Sequence, residues 1–296
     1  MLFSGTILTA NRGCILNKNK PFVKRTHDMI YKRSFLKWAG SKYQLLSDIL
    51  AALPKGKRLL EPFVGSGVVF LNAEYPSYSV NDINTDLISV YQNLKKYGET
   101  FIEDVKYYFT EKNNHKDSYV TLRKQFNQST DRYERAALFI YLNRHCFNGL
   151  CRYNSRGEFN VPFGRYKTVT FPENTLKIIK NKLRCTTIHC KPYNDFFALA
   201  KPGDVIYCDP PYVTNHESAA FKYFGAEFNF DDQQRLVVLA TQKAKLGITT
   251  IISNNATTET MQLYQASRCL KEVTVFRSMN CQVDQRRRVS ELMAIY

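Results

Sequence analysis

The stretch Arg58-Leu-Leu-Glu-Pro-Phe-Val-Gly65-Ser-Gly67-Val-Val-Phe-Leu-Asn72 decides how this chain folds. Arg58–Glu61 reads as a strand and Val68–Asn72 as the apolar start of a helix. Between them, Gly65-Ser66-Gly67 lets the backbone approach a ligand closely at the carboxyl edge of the strand. Tyr78–Val80 reads as a second short strand, ending at Asn81-Asp82. Strand, glycine turn, helix, strand and acidic residue make a β-α-β unit of a doubly wound α/β sheet, the Rossmann-like arrangement.

Gly-x-Gly alone is shared by many nucleotide binders. No Walker-type lysine follows the turn, which disfavours a triphosphate. Asp82 stands where an acidic residue accepts ribose hydroxyls; a plain turn or capping role within Asn81-Asp82-Ile83-Asn84 is the alternative. A dinucleotide and S-adenosylmethionine compete for such a pocket. Phe70 occupies the place of the third glycine of the pyrophosphate fingerprint, which favours S-adenosylmethionine.

A second stretch carries chemistry. The run Asp204–Cys208 reads as a strand that stops at Asp209-Pro210-Pro211-Tyr212, because proline neither continues a ladder nor enters a helix interior. The strand end thus presents a carboxylate, a prolyl carbonyl and an aromatic ring at one point. Two oxygen acceptors can take both N–H bonds of an exocyclic amine while the ring stacks on its heterocycle. Strand ends also carry Asp-Pro turns with no further role.

The 296 residues are 44% apolar, enough for one large core or a core with an inserted domain. No apolar stretch approaches the roughly 20 residues that span a bilayer, and no long basic amphipathic helix points to a membrane surface. The net charge of +16 favours polyanionic partners, with nucleic acid ahead of anionic membrane. Eight cysteines are scattered without metal-ligand spacing. They read as free thiols in a reducing cytoplasm, with no metal. Residues 1–30 read as a basic, disordered tail, with ordered patterning starting just after Met29.

Residues 31–84 and 172–296 alternate strand and helix. Residues 85–171 have helical spacing at Asp86–Leu94, Thr100–Phe109, Tyr119–Phe126 and Arg132–Leu142. An irregular stretch follows, in which Arg152-Tyr153 and Phe159–Val161 flank Asn154–Gly157 as a hairpin. A helical block interrupting an α/β domain predicts an insertion and two spatial domains. Val213–Phe230 lacks a period and reads as a lid or a surface loop. Arg286-Arg287-Arg288 reads as a charged edge-strand start with no assigned role.

Seven motifs occur in one order: Phe35-Leu-Lys-Trp-Ala-Gly40, Glu61-Pro-Phe-Val-Gly-Ser-Gly67, Asn81-Asp-Ile-Asn84, Tyr141-Leu-Asn-Arg144, Phe147-Asn-Gly-Leu-Cys-Arg152, Gly157-Glu-Phe-Asn-Val-Pro-Phe-Gly-Arg-Tyr166 and Asp209-Pro-Pro-Tyr212. From about Arg33 to Tyr296 the chain resembles the Dam-type DNA adenine-N6 methyltransferases. The resemblance implies a methyltransferase domain carrying a DNA target-recognition insert at 85–171. It implies that Trp38, Lys42, Gly65, Gly67, Asp82 and Asp209 hold S-adenosylmethionine. Lys37, Leu150, Arg152 and Pro162 would contact bases, Phe147 and Asn148 would approach the base pair vacated by flipping, and Arg165 would hold phosphate. The implied target is the adenine of GATC in double-stranded DNA, with roles in mismatch repair and replication for a solitary enzyme. The family usually carries tyrosine where this chain has Phe147, so a hydroxyl contact is lost there. The enzyme is expected to be monomeric.

The electronic problem is the same on either route. Adenine N6 is a poor nucleophile because its lone pair is delocalised into the ring. Hydrogen bonds from N6–H to the Asp209 carboxylate and the Pro210 carbonyl localise that pair, and Tyr212 stacks on the extruded base. Pro211 fixes the turn. No Pro-Cys pair exists for cytosine-C5 chemistry. Cytosine N4, an RNA base and a glutamine amide are the rival acceptors. A non-catalytic DNA-binding protein is the rival of another class, and an intact Asp209 motif beside Asp82 argues against it.

Overall fold

The structure is a computed structural model and describes residues 31–212, 228–276 and 288–296. The readings of the tail at 1–28, of most of Val213–Phe230 and of Arg286-Arg287 lie outside the described residues. Seven strands form one sheet: β1 (Arg58–Glu61), β2 (Ser77–Asn81), β3 (Thr186–His189), β4 (Asp204–Cys208), β5 (Thr249–Asn255), β6 (Cys269–Phe276) and β7 (Arg288–Ile295), in the order β3-β2-β1-β4-β5-β7-β6. β1 to β5 are parallel, and β7 enters antiparallel between β5 and β6.

Parallel strands are covered on both faces and read as continuous apolar runs. All five residues of β4 are buried. Alternation along the strands then divides the core in two. Leu59, Val205, Tyr207 and Ile251 face one layer of helices, while Leu60, Ile206, Cys208 and Ile252 face the other.

Among the described residues ten helices surround the sheet. A 3-10 turn at Lys42–Leu45 leads into α1 (Leu46–Ala52), and α2 (Val68–Asn72) follows β1. After β2 come α3 (Thr85–Tyr97), α4 (Glu99–Tyr107), α5 (Lys116–Gln128) and α6 (Arg132–His145). α7 (Glu173–Lys182) precedes β3, and α8 (Tyr193–Phe197) follows it. α9 (Phe230–Lys245) and α10 (Thr258–Leu263) complete the set. Asn84 caps α3 and Asp131 caps α6, while Asn229 and Asp232 form a capping box on α9. α10 has no counterpart among the sequence readings, since six residues are too few to show a helical period.

The helical segment 85–171 does not carry a core of its own. Leu87 and Tyr91 of α3, Phe101 of α4, Phe139 of α6 and Phe159 share one apolar cluster with Leu59 and Val80 of the sheet. The hairpin forms between these helices. Tyr153 and Phe159 bridge antiparallel, and Asn160 N donates to Arg152 O at 3.1 Å. α5 grips its second arm: Tyr119 Oη and Arg123 Nη1 donate to Val161 O at 2.7 and 2.9 Å, and Phe159 N donates to Asn127 Oδ1 at 2.8 Å. Asp86 of α3 ties the parts together. It takes a bidentate pair from Arg135 of α6 at 3.0 and 2.9 Å and the Tyr153 hydroxyl at 2.8 Å.

β1 and β4 run parallel, and the order in which strands are added reverses between them. From β1 the sheet grows through β2 to β3, and from β4 it grows through β5 to β7 and β6. Such a switch point opens a crevice beyond the carboxyl ends of the two central strands. The register Asn255↔Glu291 brings the start of β7 to that same edge.

Candidate active site

A cavity of about 540 Å³ occupies the crevice. Trp38, Lys42, Gly65, Asp82 and Leu150 line it together with Asp209, Pro210, Pro211 and Tyr212. Residues read as cofactor contacts and residues read as transfer chemistry therefore share one chamber.

The glycine turn forms one wall. Gly65 has φ 48° and Gly67 φ 67°, a left-handed backbone that side-chain-bearing residues resist. A Cβ on Gly65 would stand 2.8 Å from Trp38 Nε1, so the indole packs directly on the turn. Asp82 braces the turn from behind: Oδ2 accepts from Gly65 N and Oδ1 from Asn84 N, each at 3.0 Å. Gly67 is not on the cavity wall. It begins α2, and a Cβ there would meet the Tyr91 hydroxyl at 2.6 Å, which itself donates to Gly65 O at 3.0 Å.

Two features of the wall went unassigned in the sequence reading. Glu61, at the end of β1, is buried and its Oε1 has no hydrogen-bond partner. Burial, reinforced by the Asp209 charge, pushes its carboxyl up to about 8, while Lys182 opposes the shift. Across the cavity, Phe63, Tyr193 and Phe228 meet with ring centres 5.5–5.7 Å apart and make an aromatic corner.

Three contacts hold the tetrapeptide after β4. Lys42 Nζ lies 2.7 Å from Asp209 Oδ1 and 4.7 Å from the centre of the Tyr212 ring. The Tyr212 hydroxyl donates to Glu291 Oε2 of β7. Gln233 Nε2 of α9 donates to Pro211 O at 3.1 Å; its Oε1 takes the Tyr264 hydroxyl at 2.9 Å, and Asn254 Nδ2 donates to that hydroxyl at 2.8 Å. Among the described residues none donates to the Pro210 carbonyl. Burial pushes the Asp209 carboxyl above the usual carboxylate range; Lys42 pulls it back and the Glu291 charge raises it again.

Of the residues read as DNA contacts, Leu150 alone lines the cavity. Phe147, Asn148, Arg152, Pro162 and Arg165 are exposed, and Leu150 is half-buried. Phe147 N donates to Pro162 O at 2.8 Å, so the 147–150 turn and the second hairpin arm are one unit. Asn148 and Arg165 are the two non-glycine residues with positive φ among the described residues, both at 53°. Backbone strain of this kind concentrates at binding sites. Lys37 is held from several sides. Asn143 of α6 binds its backbone N and O at 2.8 and 2.7 Å and Gly149 O at 3.1 Å. Lys37 Nζ donates to Arg144 O at 3.0 Å and lies 3.4 Å from the centre of the Tyr166 ring. Burial, helped by Arg144, brings its ammonium down to about 8. Among the described residues no group of His, Cys, Asp and Glu could hold a metal ion, and no helix is long and apolar enough to cross a membrane.

Fold and site together define a Rossmann-like methyltransferase. Residues 38–279 match the family model of the D12 class N6 adenine-specific DNA methyltransferases. The DNA adenine methylase of Serratia marcescens is 46% identical over 266 residues, covering 89% of this chain and 98% of that one. Its counterparts in Vibrio cholerae serotype O1 and Escherichia coli K12 are 45% and 44% identical, over 90% and 89% of this chain and 96% and 95% of theirs. The solved precorrin 8W decarboxylase of Methanobacterium thermoautotrophicum aligns over 87% of this chain and 89% of its own at 11% identity with a TM-score of 0.37, too loose to bear on function. The chain belongs to the D12 class family and is an adenine-specific DNA methyltransferase.

Proposed function

We propose that this enzyme methylates adenine N6 within GATC in duplex DNA, taking the methyl group from S-adenosylmethionine and acting on a base swung out of the helix. The observation that carries the chemistry is the distribution of acceptors after β4. Gln233 occupies the Pro211 carbonyl, whereas no described residue donates to the Pro210 carbonyl, and Asp209 and Pro210 both line the cavity.

The cavity fits the methyl donor. An aromatic corner suits a purine ring, and Asp82 at the end of β2 suits a ribose. The orphaned Glu61 oxygen suits a cation, since a buried acceptor without a donor is costly. When bound, S-adenosylmethionine supplies an electrophilic sulfonium methyl. The protein's own part is to orient N6. Asp209 and the Pro210 carbonyl accept its two N–H bonds, which draws the lone pair out of conjugation with the ring and localises it on N6. Tyr212 stacks on the base. Nitrogen–carbon bond formation accompanies carbon–sulfur cleavage, and Asp209 holds the proton that N6 sheds until water takes it. Positioning is the main source of rate.

Residues 85–171 act as the recognition part despite their shared core. Phe147 enters the stack, Arg152 and Lys37 read guanines, Leu150 and Pro162 touch bases, and Arg165 holds phosphate. The net charge of +16 supports this, since phosphate contacts dominate affinity. The enzyme works as a monomer in the cytoplasm of a bacterial or phage-infected cell; the bacterial relatives support the setting. The test is methyl transfer into unmethylated plasmid, followed by digestion with nucleases that distinguish methylated from unmethylated GATC. Protection confined to GATC supports the reading. Transfer to other adenine sequences at the same rate contradicts the site assignment, and no transfer contradicts the function.

A further inference from the structure

The tetrapeptide after β4 has a support that no motif marks. Glu291 sits at the start of β7, paired in register with Asn255 of β5 and Val273 of β6. It is buried, 5% exposed, and its carboxylate reaches toward the cavity edge. Oε2 accepts the Tyr212 hydroxyl and lies 3.9 Å from Lys42 Nζ. The same Lys42 Nζ lies 2.7 Å from Asp209 Oδ1, donates to Gly40 O at 3.0 Å, and is itself only 3% exposed. Asp209, Lys42, Glu291 and Tyr212 thus close a loop. It joins the first and fourth residues of the tetrapeptide through two side chains that lie outside it. A buried carboxylate is costly unless it is paired and hydrogen-bonded. The Tyr212 hydroxyl and the Lys42 ammonium offset that cost for Glu291, which couples the four groups in one arrangement.

We propose that Glu291 is a positioning residue for methyl transfer: through the Tyr212 hydroxyl it fixes the stacking ring, and through Lys42 it fixes the Asp209 carboxylate relative to that ring. Glu291 touches neither base nor donor; it acts through the other three. It also tunes the charge that Asp209 feels. The groups facing Asp209 are Lys42 from the N-terminal turn, Glu61 from β1, Tyr207 and Cys208 from β4, Tyr212, and Glu291 from β7. Removing the Glu291 charge makes Asp209 easier to ionise, and removing the Lys42 charge makes it harder. The inference rests on the reading that Asp209 and Tyr212 carry out transfer.

The experiment compares Glu291→Gln, Tyr212→Phe, the double variant and Lys42→Met, with Asp209→Asn as the control. Single-turnover methylation of a duplex containing GATC is followed across pH, together with S-adenosylmethionine binding by calorimetry. Expected are losses in transfer rate of between about tenfold and a hundredfold for Glu291→Gln and for Tyr212→Phe, with donor affinity unchanged in both. The double variant is no slower than the slower single one, because both remove the same contact. The acid limb of the rate profile moves to lower pH in Glu291→Gln and to higher pH in Lys42→Met. A wild-type rate and an unmoved limb in Glu291→Gln, or losses that multiply in the double variant, overturn the proposal. Should Glu291→Gln fail to fold, Tyr212→Phe tests the same contact with ring and carboxylate intact, and a wild-type rate there overturns it. Full turnover by Asp209→Asn instead brings down the transfer reading itself.

Discussion

Asn160 holds Arg152 across the 152–161 hairpin: Arg152 Nε donates to Asn160 Oδ1 at 2.8 Å, and Nη2 donates to Asn160 O at 3.5 Å. With Nε on the Asn160 side chain and Nη2 at the long end of a bond to its carbonyl, Nη1 and the second hydrogen of Nη2 are left to offer a guanine. A bidentate arginine–guanine pair discriminates by about 1–3 kcal/mol. Arg152→Ala is therefore expected to relax preference at one guanine of the site more than it lowers overall DNA affinity. Asn160→Ala is expected to do the same more weakly, because the guanidinium remains but is no longer aimed. Methylation rates on duplexes altered one base at a time check both. A uniform affinity loss across sequences would make Arg152 a phosphate contact instead.

The two glycines of the turn should fail differently. Gly67 lies off the cavity wall, and a Cβ there meets the Tyr91 hydroxyl at 2.6 Å on a left-handed backbone. Gly67→Ala is expected to destabilise the fold by roughly 1–3 kcal/mol, with donor affinity in the folded fraction little changed. Gly65→Ala presses on Trp38, which lines the cavity, and is expected to weaken donor binding as well. Thermal unfolding and calorimetric titration with S-adenosylmethionine separate the two.

Lys37 should make DNA binding depend on pH. Its ammonium titrates near 8, chiefly because it is half-buried. On the proposal that Lys37 contacts DNA, the charged form binds, so affinity is expected to be full below that pH and to fall as pH rises through about 8. Lys37→Arg, which stays charged throughout, should flatten the profile between pH 7 and 9. Fluorescence anisotropy with a short duplex measures it.

Glu61 gives a second pH signature. Its carboxyl rises from an ordinary 4.5 to about 8 in the folded chain. Folding then takes up a proton between those values, so this group's contribution to stability declines as pH rises from about 4.5 to about 8 and is level above. Glu61→Gln is expected to melt progressively higher than the parent across that window. It should also bind the methyl donor roughly tenfold or more weakly, the scale of a lost hydrogen bond to a charged group. In the parent a cationic donor group ionises Glu61, so binding at pH 7 should release a proton that Glu61→Gln does not release. Calorimetry in buffers of differing ionisation enthalpy detects it.

Much of this molecule is visible in local patterns, and the remainder depends on distant packing. β1 begins and ends where the residue pattern places it, because a short apolar strand bounded by turn residues carries its own limits. The helices from α3 to α6 are recognisable from their period. Their merging with the sheet into one core is not, since no local signal tells whether an apolar helix face meets its own block or another. Asp82 and Asp209 stand at strand ends inside recognisable motifs. Glu61, Asn143, Gln233 and Glu291 matter through what they touch far away in sequence: Gln233 reaches Pro211 from α9, and Glu291 reaches Tyr212 from the last strand. Glu61 alone leaves a local clue, a carboxylate closing the apolar pair Leu59-Leu60.

The central claim is that the Asp209 carboxylate and the Pro210 carbonyl activate the adenine amine. The most direct test is the rate of methyl transfer from S-adenosylmethionine to a GATC duplex by Asp209→Ala, in protein whose fold and DNA affinity match the parent. A loss of at least about a hundredfold is predicted, the scale of removing a preorganised acceptor from a reacting centre. Turnover at the parental rate would contradict the account.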